Sequence, residues 1–410
     1  MKKLTLAIGL YMGVLLSASA QKTADTSNYQ SRKLKVEEIN IVSSYYHQDG
    51  NNSAVTGGIG TEKLTDFGNT FDIRFSKWDS KARQHFFTFE LGVDAYSSAS
   101  SDKIDPYTVS SASMTDKRIY PSLAWSVNNA KKGTTFGAVA SYSTEYDYQS
   151  YGTGLNFSKT SKDGNREFSA KVNAFFDTWK VILPSELRTI YRADGSYYFY
   201  GSGGEHDPYP VDYKPRNSYS SSFSLAQVVN KRMQVLLTID PAYQAGLLAT
   251  KYQRVYFTDG TVKSEELPDT RVKLPIGARL NYFAGNKVVI RTFYRYYQDD
   301  WGVKAHTFEL ETPIKMTPFL TLSPYYRYYT QTAADYFAAY GAHKLSDKYY
   351  TSDYDLSKLN SNMVGTGIRI MPPHGVFGIQ SWASLELRYG HYMRSNGLTS
   401  NTITLYAKFK

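Results

Sequence analysis

The segment Phe87-Thr88-Phe89-Glu90-Leu91-Gly92-Val93-Asp94-Ala95-Tyr96 alternates apolar and polar side chains along its whole length. Phe87, Phe89, Leu91, Val93 and Ala95 share one parity, while Thr88, Glu90, Gly92, Asp94 and Tyr96 share the other. Extended backbone throws successive side chains to opposite faces, so the pattern reads as a strand with one apolar face. An amphipathic helix needs apolar residues three and four apart, and that spacing is almost absent after residue 36.

The same period recurs outward from this segment. Phe168, Ala170, Val172, Ala174 and Phe176 alternate with polar residues, as do Val272, Leu274, Ile276, Ala278, Leu280 and Tyr282. The chain closes on Ile403, Leu405, Ala407 and Phe409 opposite Thr402, Thr404, Tyr406 and Lys408. Strands are predicted near 37–47, 68–78, 84–96, 117–127, 134–147, 149–159, 166–178, 218–229, 232–243, 271–283, 287–299, 303–315, 318–330, 361–371, 377–392 and 398–410. That is about sixteen, an even number of the kind bacterial outer-membrane barrels have.

Link lengths sort by parity. Tight links fall at 79–83, 128–133, 161–165, 230–231, 284–286, 315–317 and 372–376. Every long one, 48–67, 97–116, 179–217, 244–270 and 331–360, belongs to the other set. Short turns at one end and long loops at the other suit an up-and-down membrane barrel, whereas a Greek-key sandwich has no reason to sort its links this way. The assigned apolar faces carry no charged residue although charged residues make up 20% of the chain. A Lys or Arg facing mid-bilayer lipid costs ~2–4 kcal/mol, which explains a cleared face. The expected fold is therefore all-β: a transmembrane antiparallel up-and-down barrel over 37–410, with short periplasmic turns and long extracellular loops.

Lys2 and Lys3 precede an apolar run, Leu4 to Leu16, and Ala18-Ser19-Ala20 offers a small-x-small cleavage site. Residues 1–20 thus read as a signal peptide directing export, and 21–36 as a flexible periplasmic lead-in to the barrel. No other stretch approaches the ~20 apolar residues of a spanning helix. With 0 Cys, a thiolate zinc site, a cysteine nucleophile and a disulfide framework are excluded. The net charge of +10 is dispersed, without a basic run, so no nucleic-acid partner is expected.

The chain holds 37 Tyr. At the exit ends of the outward-running strands they form an expected aromatic girdle: Tyr142 and Tyr146, Tyr294 and Tyr296, Tyr326 and Tyr328, Tyr389 and Tyr392. Such rings suit the headgroup level, half buried with a wet hydroxyl. Trp125, Phe157, Tyr282 and Phe409 serve the opposite rim. The polar parity is expected to line a lumen with Asp72, Arg74, Glu90, Asp94, Arg291, Arg295, Glu309, Glu311, Arg327, Arg369, Glu386 and Arg388. A barrel of this size is wide enough for an aqueous channel unless loops or side chains fill it.

No catalytic, cofactor or metal site is expected. The histidines stand isolated, without metal-ligand spacing. A barrel lipase needs Ser and His together on the outer wall, where His306, Ser221 and Ser381 are the candidates. Gly57-Gly58-Ile59-Gly60-Thr61-Glu62-Lys63 lacks a phosphate cradle and reads as a turn needing positive backbone dihedrals. The acidic loop 353–355 offers carboxylates to a cation but is not part of a twelve-residue calcium loop.

The chain resembles the outer-membrane β-barrel proteins of Gram-negative bacteria. Through Ala54-Val55-Thr56-Gly57-Gly58-Ile59-Gly60-Thr61-Glu62-Lys63-Leu64-Thr65-Asp66 and the strand Asn69 to Phe75, it is similar to an uncharacterised exported barrel family labelled a domain of unknown function. That resemblance implies an outer-membrane location, with lipid and the barrel-assembly machinery as partners, and no established activity. Barrels of this type end on an aromatic assembly signal; Phe409 matches it, with Lys410 following. The leading expectation is a porin-like channel for small polar solutes. The alternative is a plugged barrel that anchors or exports a partner, a lipoprotein or an extracytoplasmic redox protein; an outer-membrane lipid hydrolase is the remote third.

Overall fold

A computed structural model of the chain describes residues 32–97, 115–187, 189–191, 197–199 and 212–410. Alternating segments form one antiparallel sheet that closes on itself. Its strands are β1 (Lys35–Asp49), β2 (Leu64–Trp78), β3 (Gln84–Ser97), β4 (Thr115–Asn129), β5 (Thr134–Thr144), β6 (Tyr148–Thr160), β7 (Arg166–Val181) and β8 (Asp212–Asn230). They continue with β9 (Met233–Ile239 and Ala242–Gly246), β10 (Thr270–Ala284), β11 (Val288–Asp299), β12 (Lys304–Glu311 and Ile314–Lys315), β13 (Leu320–Gln331), β14 (Leu359–Ile370), β15 (Trp382–Arg394) and β16 (Thr399–Phe409). Each pairs with its sequence neighbour, and β1 pairs with β16 from Ile39↔Phe409 to Asp49↔Thr399. The expected sixteen-strand barrel is what the chain forms.

Two strands are interrupted, each opposite a proline. β9 breaks at Asp240-Pro241 beside Pro275, whose carbonyl takes the Asp240 N–H, and β12 breaks at Thr312-Pro313 beside Pro324, whose carbonyl takes the Thr312 N–H. A proline lacks the N–H its neighbour's ladder needs, so the partner strand bulges there.

Closure settles which face is which. Phe87 is 41% exposed on the outside of the ring, with no second sheet against it. The outward parity of the described strands places Asp, Glu, Lys and Arg only close to strand ends, as at Lys77, Lys159 and Lys304. Between them runs an apolar belt, and no described helix is long and apolar enough to cross a membrane. The backbone meets that requirement by ring closure, which leaves no unpaired edge.

Several boundaries differ from the expected ones. β1 starts at Lys35 and β2 at Leu64, because the ladder continues through Leu64↔Gln48 where apolar alternation has ceased. Backbone hydrogen bonds need no apolar side chain. β5 stops at Thr144, and β15 starts at Trp382 after a link whose turn Val376–Gly378 holds Phe377 at positive φ. The leader, the cleavage site, most of the lead-in and much of loops 97–116 and 179–217 lie outside the described residues.

Candidate functional site

Register places all twelve expected lining residues on the inward parity. Asn40 Nδ2 donates to Asp72 at 3.0 Å, and Tyr406 donates to Asn40 at 2.8 Å, tying β2, β1 and β16 on one face. Glu38 on that face pairs with Arg74 at 3.9 Å and with Lys408. Further round, Arg388 bridges Glu311 at 3.0 Å and Glu386 at 3.1 Å, Arg291 reaches Glu311 at 3.1 Å, and Arg327 holds Glu309 at 2.6 Å. Arg369 stands opposite Glu386, and Arg295 opposite Thr307. Arg291 and Arg327 brace adjacent strands, whereas Arg388 pairs within β15 and reaches past β13 and β14 to Glu311 on β12.

This wall is wet. The Arg291 and Arg327 side chains are 46% and 50% exposed although they sit inside a closed ring. A filled core leaves no such surface. The charges are also sorted: acids outnumber bases on β1–β4, where Asp72 directly faces Glu90 across the ladder and Asp94 accepts from Tyr120. Bases outnumber acids on β10–β15. The lumen therefore carries a transverse field between facing walls, strengthened by the low-dielectric belt outside.

Tyr142, Tyr294, Tyr296, Tyr326, Tyr328 and Tyr389 sit on the outward parity toward the long-loop end. Two girdle assignments need correcting. Tyr146 lies in the link after β5, beneath the Lys180 ammonium at 4.1 Å, because β5 has already ended. Tyr392 faces inward, since Leu385, Leu387 and Tyr389 occupy the outward parity of β15 and a residue three further on falls opposite. Phe409 stacks on Trp382 at 5.4 Å at the short-turn rim.

At the other end three loops fold over the mouth as a lid. Loop 247–269 carries a small hairpin, Arg254–Tyr256 paired with Val262–Ser264. Val255 and Phe257 from this hairpin pack with Tyr350 of loop 332–358 in a buried cluster. Trp301, Ala249 and Leu267 form a second, with Tyr336 against it. Polar staples join loop 247–269 to its neighbours. Buried Arg254 binds Glu186 through Nε and Nη2 and donates from Nη1 to the Val55 carbonyl at 2.9 Å. Buried Glu265 accepts from the Thr351 hydroxyl and from the Thr250 N–H at 2.6 Å. Burial pushes Glu265 up to about 7.

The glycine-rich segment is the third member of the lid. Gly57, Gly58 and Gly60 all have positive φ, as a turn reading requires. Gly58 also backs directly onto loop 332–358: a Cβ there would lie 2.7 Å from the Ser352 carbonyl oxygen. Gly58→Ala is expected to weaken lid docking by roughly 2–4 kcal/mol, from left-handed strain plus the clash. Limited proteolysis of folded barrels checks it, with Gly164→Ala as control, since that glycine has positive φ and nothing within 4 Å. Equal cleavage of both variants in loop 50–63 would refute the contact argument.

Between the lid and the inner wall of β1 and β14–β16 lies a cavity of about 510 Å³. Its lining includes Tyr46, Ser53, Glu62, Tyr252, Asp353 and Arg394. Burial raises the Glu62 carboxyl above its ordinary range, takes Asp353 up to about 6, and pushes Tyr252 up to about 12. Sequence reading had no means of finding this cavity, because its walls come from segments up to about 350 residues apart, as Asn52 bonding to Asn396 shows.

The hydrolase constellation does not assemble. His306 on β12 shares a 2.8 Å hydrogen bond with Tyr294, while Ser221 lies on β8, four strands away round the ring, and Ser381 lies at the opposite end of the barrel. One acidic group unnoticed in sequence, Asp116, Glu145 and Asp147, brings carboxylate oxygens within 4.8 Å of one another, and Arg118 pairs with Glu145 there.

The family model described as Protein of unknown function (DUF3570) matches residues 2–376. The chain belongs to this family. No curated protein matches the sequence. Among solved structures, this DUF3570 chain is similar to OccD3 (OpdP) of Pseudomonas aeruginosa, at 8% identity and a TM-score of 0.44, covering 93% of this chain and 92% of that one. It is similar to a BenF-like porin from Pseudomonas fluorescens Pf-5, at 6% identity and a TM-score of 0.42, covering 93% and 100%. It is also similar to the COG4313 outer membrane channel from Pseudomonas putida F1, at 12% identity and a TM-score of 0.34, covering 71% and 98%.

Proposed function

We propose that the protein is a porin-like channel of the outer membrane for small polar solutes, with the lid of loops 50–63, 247–269 and 332–358 restricting its outer mouth. The observation that carries this reading is the exposure of the Arg291 and Arg327 side chains inside a closed ring whose outside is apolar. Water-filled space lined by charge lets hydrophilic solutes cross, and the opposed acidic and basic walls orient dipolar ones. Purified, folded barrels in planar bilayers are expected to give discrete conductance steps. A silent barrel, under conditions that also open the lid, would remove this reading.

One observation favours a second reading. The compact lid suits a barrel that anchors or exports a partner lipoprotein or extracytoplasmic redox protein, with the mouth opened only when the partner engages. Cross-linking in intact envelopes distinguishes the two: recovery of self and lipid alone counts against a partner.

A further inference from the structure

The cavity under the lid presents a mismatch between the charge and hydrogen-bonding groups it exposes and those it satisfies. Glu62 accepts from the Asn52 N–H at 2.8 Å, and Asp353 accepts from the Asp355 N–H at 2.9 Å. The cationic group acting on both is Arg394, and its guanidinium is already committed, to Asp355 at 2.7 Å and to the Tyr354 carbonyl at 2.9 Å. The wall is thus left with an excess of negative charge facing the cavity.

A second observation is independent of the carboxylates. Three polar atoms of the lining are buried without a partner: the Ser53 hydroxyl, on a residue only 2% exposed, Gln253 Oε1 and Arg394 Nε. Leaving such groups unsatisfied is costly, and a polar guest relieves that cost. They ask for donors and acceptors together, and hydroxyl groups supply both. Tyr46, Tyr252 and Tyr392 add aromatic faces, which attract a cation. The volume of about 510 Å³ falls in the range of sites that enclose small molecules. A bare divalent ion fits less well, because the acidic group with metal-ligand convergence among the described residues is Asp116, Glu145 and Asp147, outside this cavity.

We infer that this cavity is a binding site for a small hydroxylated organic cation, its ammonium held between Glu62 and Asp353 and its hydroxyls met by Ser53, Gln253 and Arg394. The inference rests on the channel reading for the solute's route. Occupancy itself needs no conduction, so the two are measured separately on one preparation.

The probes are radiolabelled glucamine, sorbitol and gluconate, which share one polyol chain and carry positive, zero and negative charge. Equilibrium dialysis against the full-length folded barrel in detergent is expected to show glucamine retained about tenfold more tightly than sorbitol, with gluconate not retained. Glu62→Gln is expected to lower glucamine retention about tenfold, and Asp353→Asn to do the same. Resistance to unfolding in dodecyl sulfate confirms that each variant is folded; if one fails, the other carries the test. Equal retention of glucamine and sorbitol, preference for gluconate, no glucamine binding, or wild-type retention in a folded Glu62→Gln barrel would each overturn the site. Binding without conductance defeats the channel reading alone, and conductance without binding defeats the site alone.

Discussion

Arg254→Ala is expected to raise the fraction of time the pore conducts by roughly a hundredfold, equivalent to ~3 kcal/mol. Arg254 is buried where three loops meet: its guanidinium forks onto Glu186, and Nη1 donates to the Val55 carbonyl. Truncation leaves that carbonyl without its donor and Glu186 without its cation. Removing one partner of a buried ion pair costs ~3–5 kcal/mol, and the lower end applies because Glu186 is 33% exposed and can rehydrate. Arg254→Lys keeps the charge but loses the fork, so its effect falls between wild type and Ala. Single-channel recording in planar bilayers measures the open fraction directly. An Ala variant with wild-type open times would show that the lid does not control access.

Raising the pH from 5 to 8 is expected to loosen the lid, and most of that response should vanish in Glu265→Gln. Burial takes the Glu265 carboxyl from its ordinary 4.5 to about 7. The docked lid therefore keeps a proton that the opened lid releases, and its stability falls as pH rises between those two values, levelling off above the upper one. A shift of that size corresponds to about 3 kcal/mol. Asp353, raised from 3.8 to about 6, acts in the same direction at slightly lower pH. The groups facing this pair act in both directions: Lys251 and Arg394 oppose the two shifts, whereas Asp355 and Glu62 add to that of Asp353. Lys251 donates to the Glu265 carbonyl and pairs with Glu266, while Arg394, Asp355 and Glu62 act on Asp353. The measurement is open fraction, or protease cleavage within loop 247–269, across the pH range on wild type and Glu265→Gln. A lid that opens on acidification, or a Gln variant with the wild-type pH slope, contradicts the argument.

The two predictions separate mechanically. Arg254 joins loops 50–63 and 247–269 to Glu186, whereas Glu265 joins loop 247–269 to loop 332–358. Their side chains act on different loop pairs, so a double variant should approach additive loosening unless the lid opens as one body. Sub-additive loosening would identify concerted opening.

Legibility in the sequence followed the physics of each part. The belt of Phe87, Phe89, Leu91 and Val93 was readable because lipid tolerates no charge and the pleat alternates faces, so each strand declares its outward side locally. The inner residues, Glu311 and Arg388 among them, followed from parity once the outer face was known. Tyr392 shows the limit of proximity without parity: it lies near Tyr389 in sequence but an odd number of residues away, which turns it inward.

What the amino-acid sequence by itself determined is the barrel, its approximate strands and the sorting of its loops, because a period of two and a charge-free face are local signals repeated along the chain. Only the tertiary structure decided that loops 50–63, 247–269 and 332–358 dock on one another, that Arg254 and Glu265 staple them, and that Glu62 and Asp353 share a cavity. Those contacts join segments far apart in the chain, and loops carry no periodic pattern from which a partner can be read.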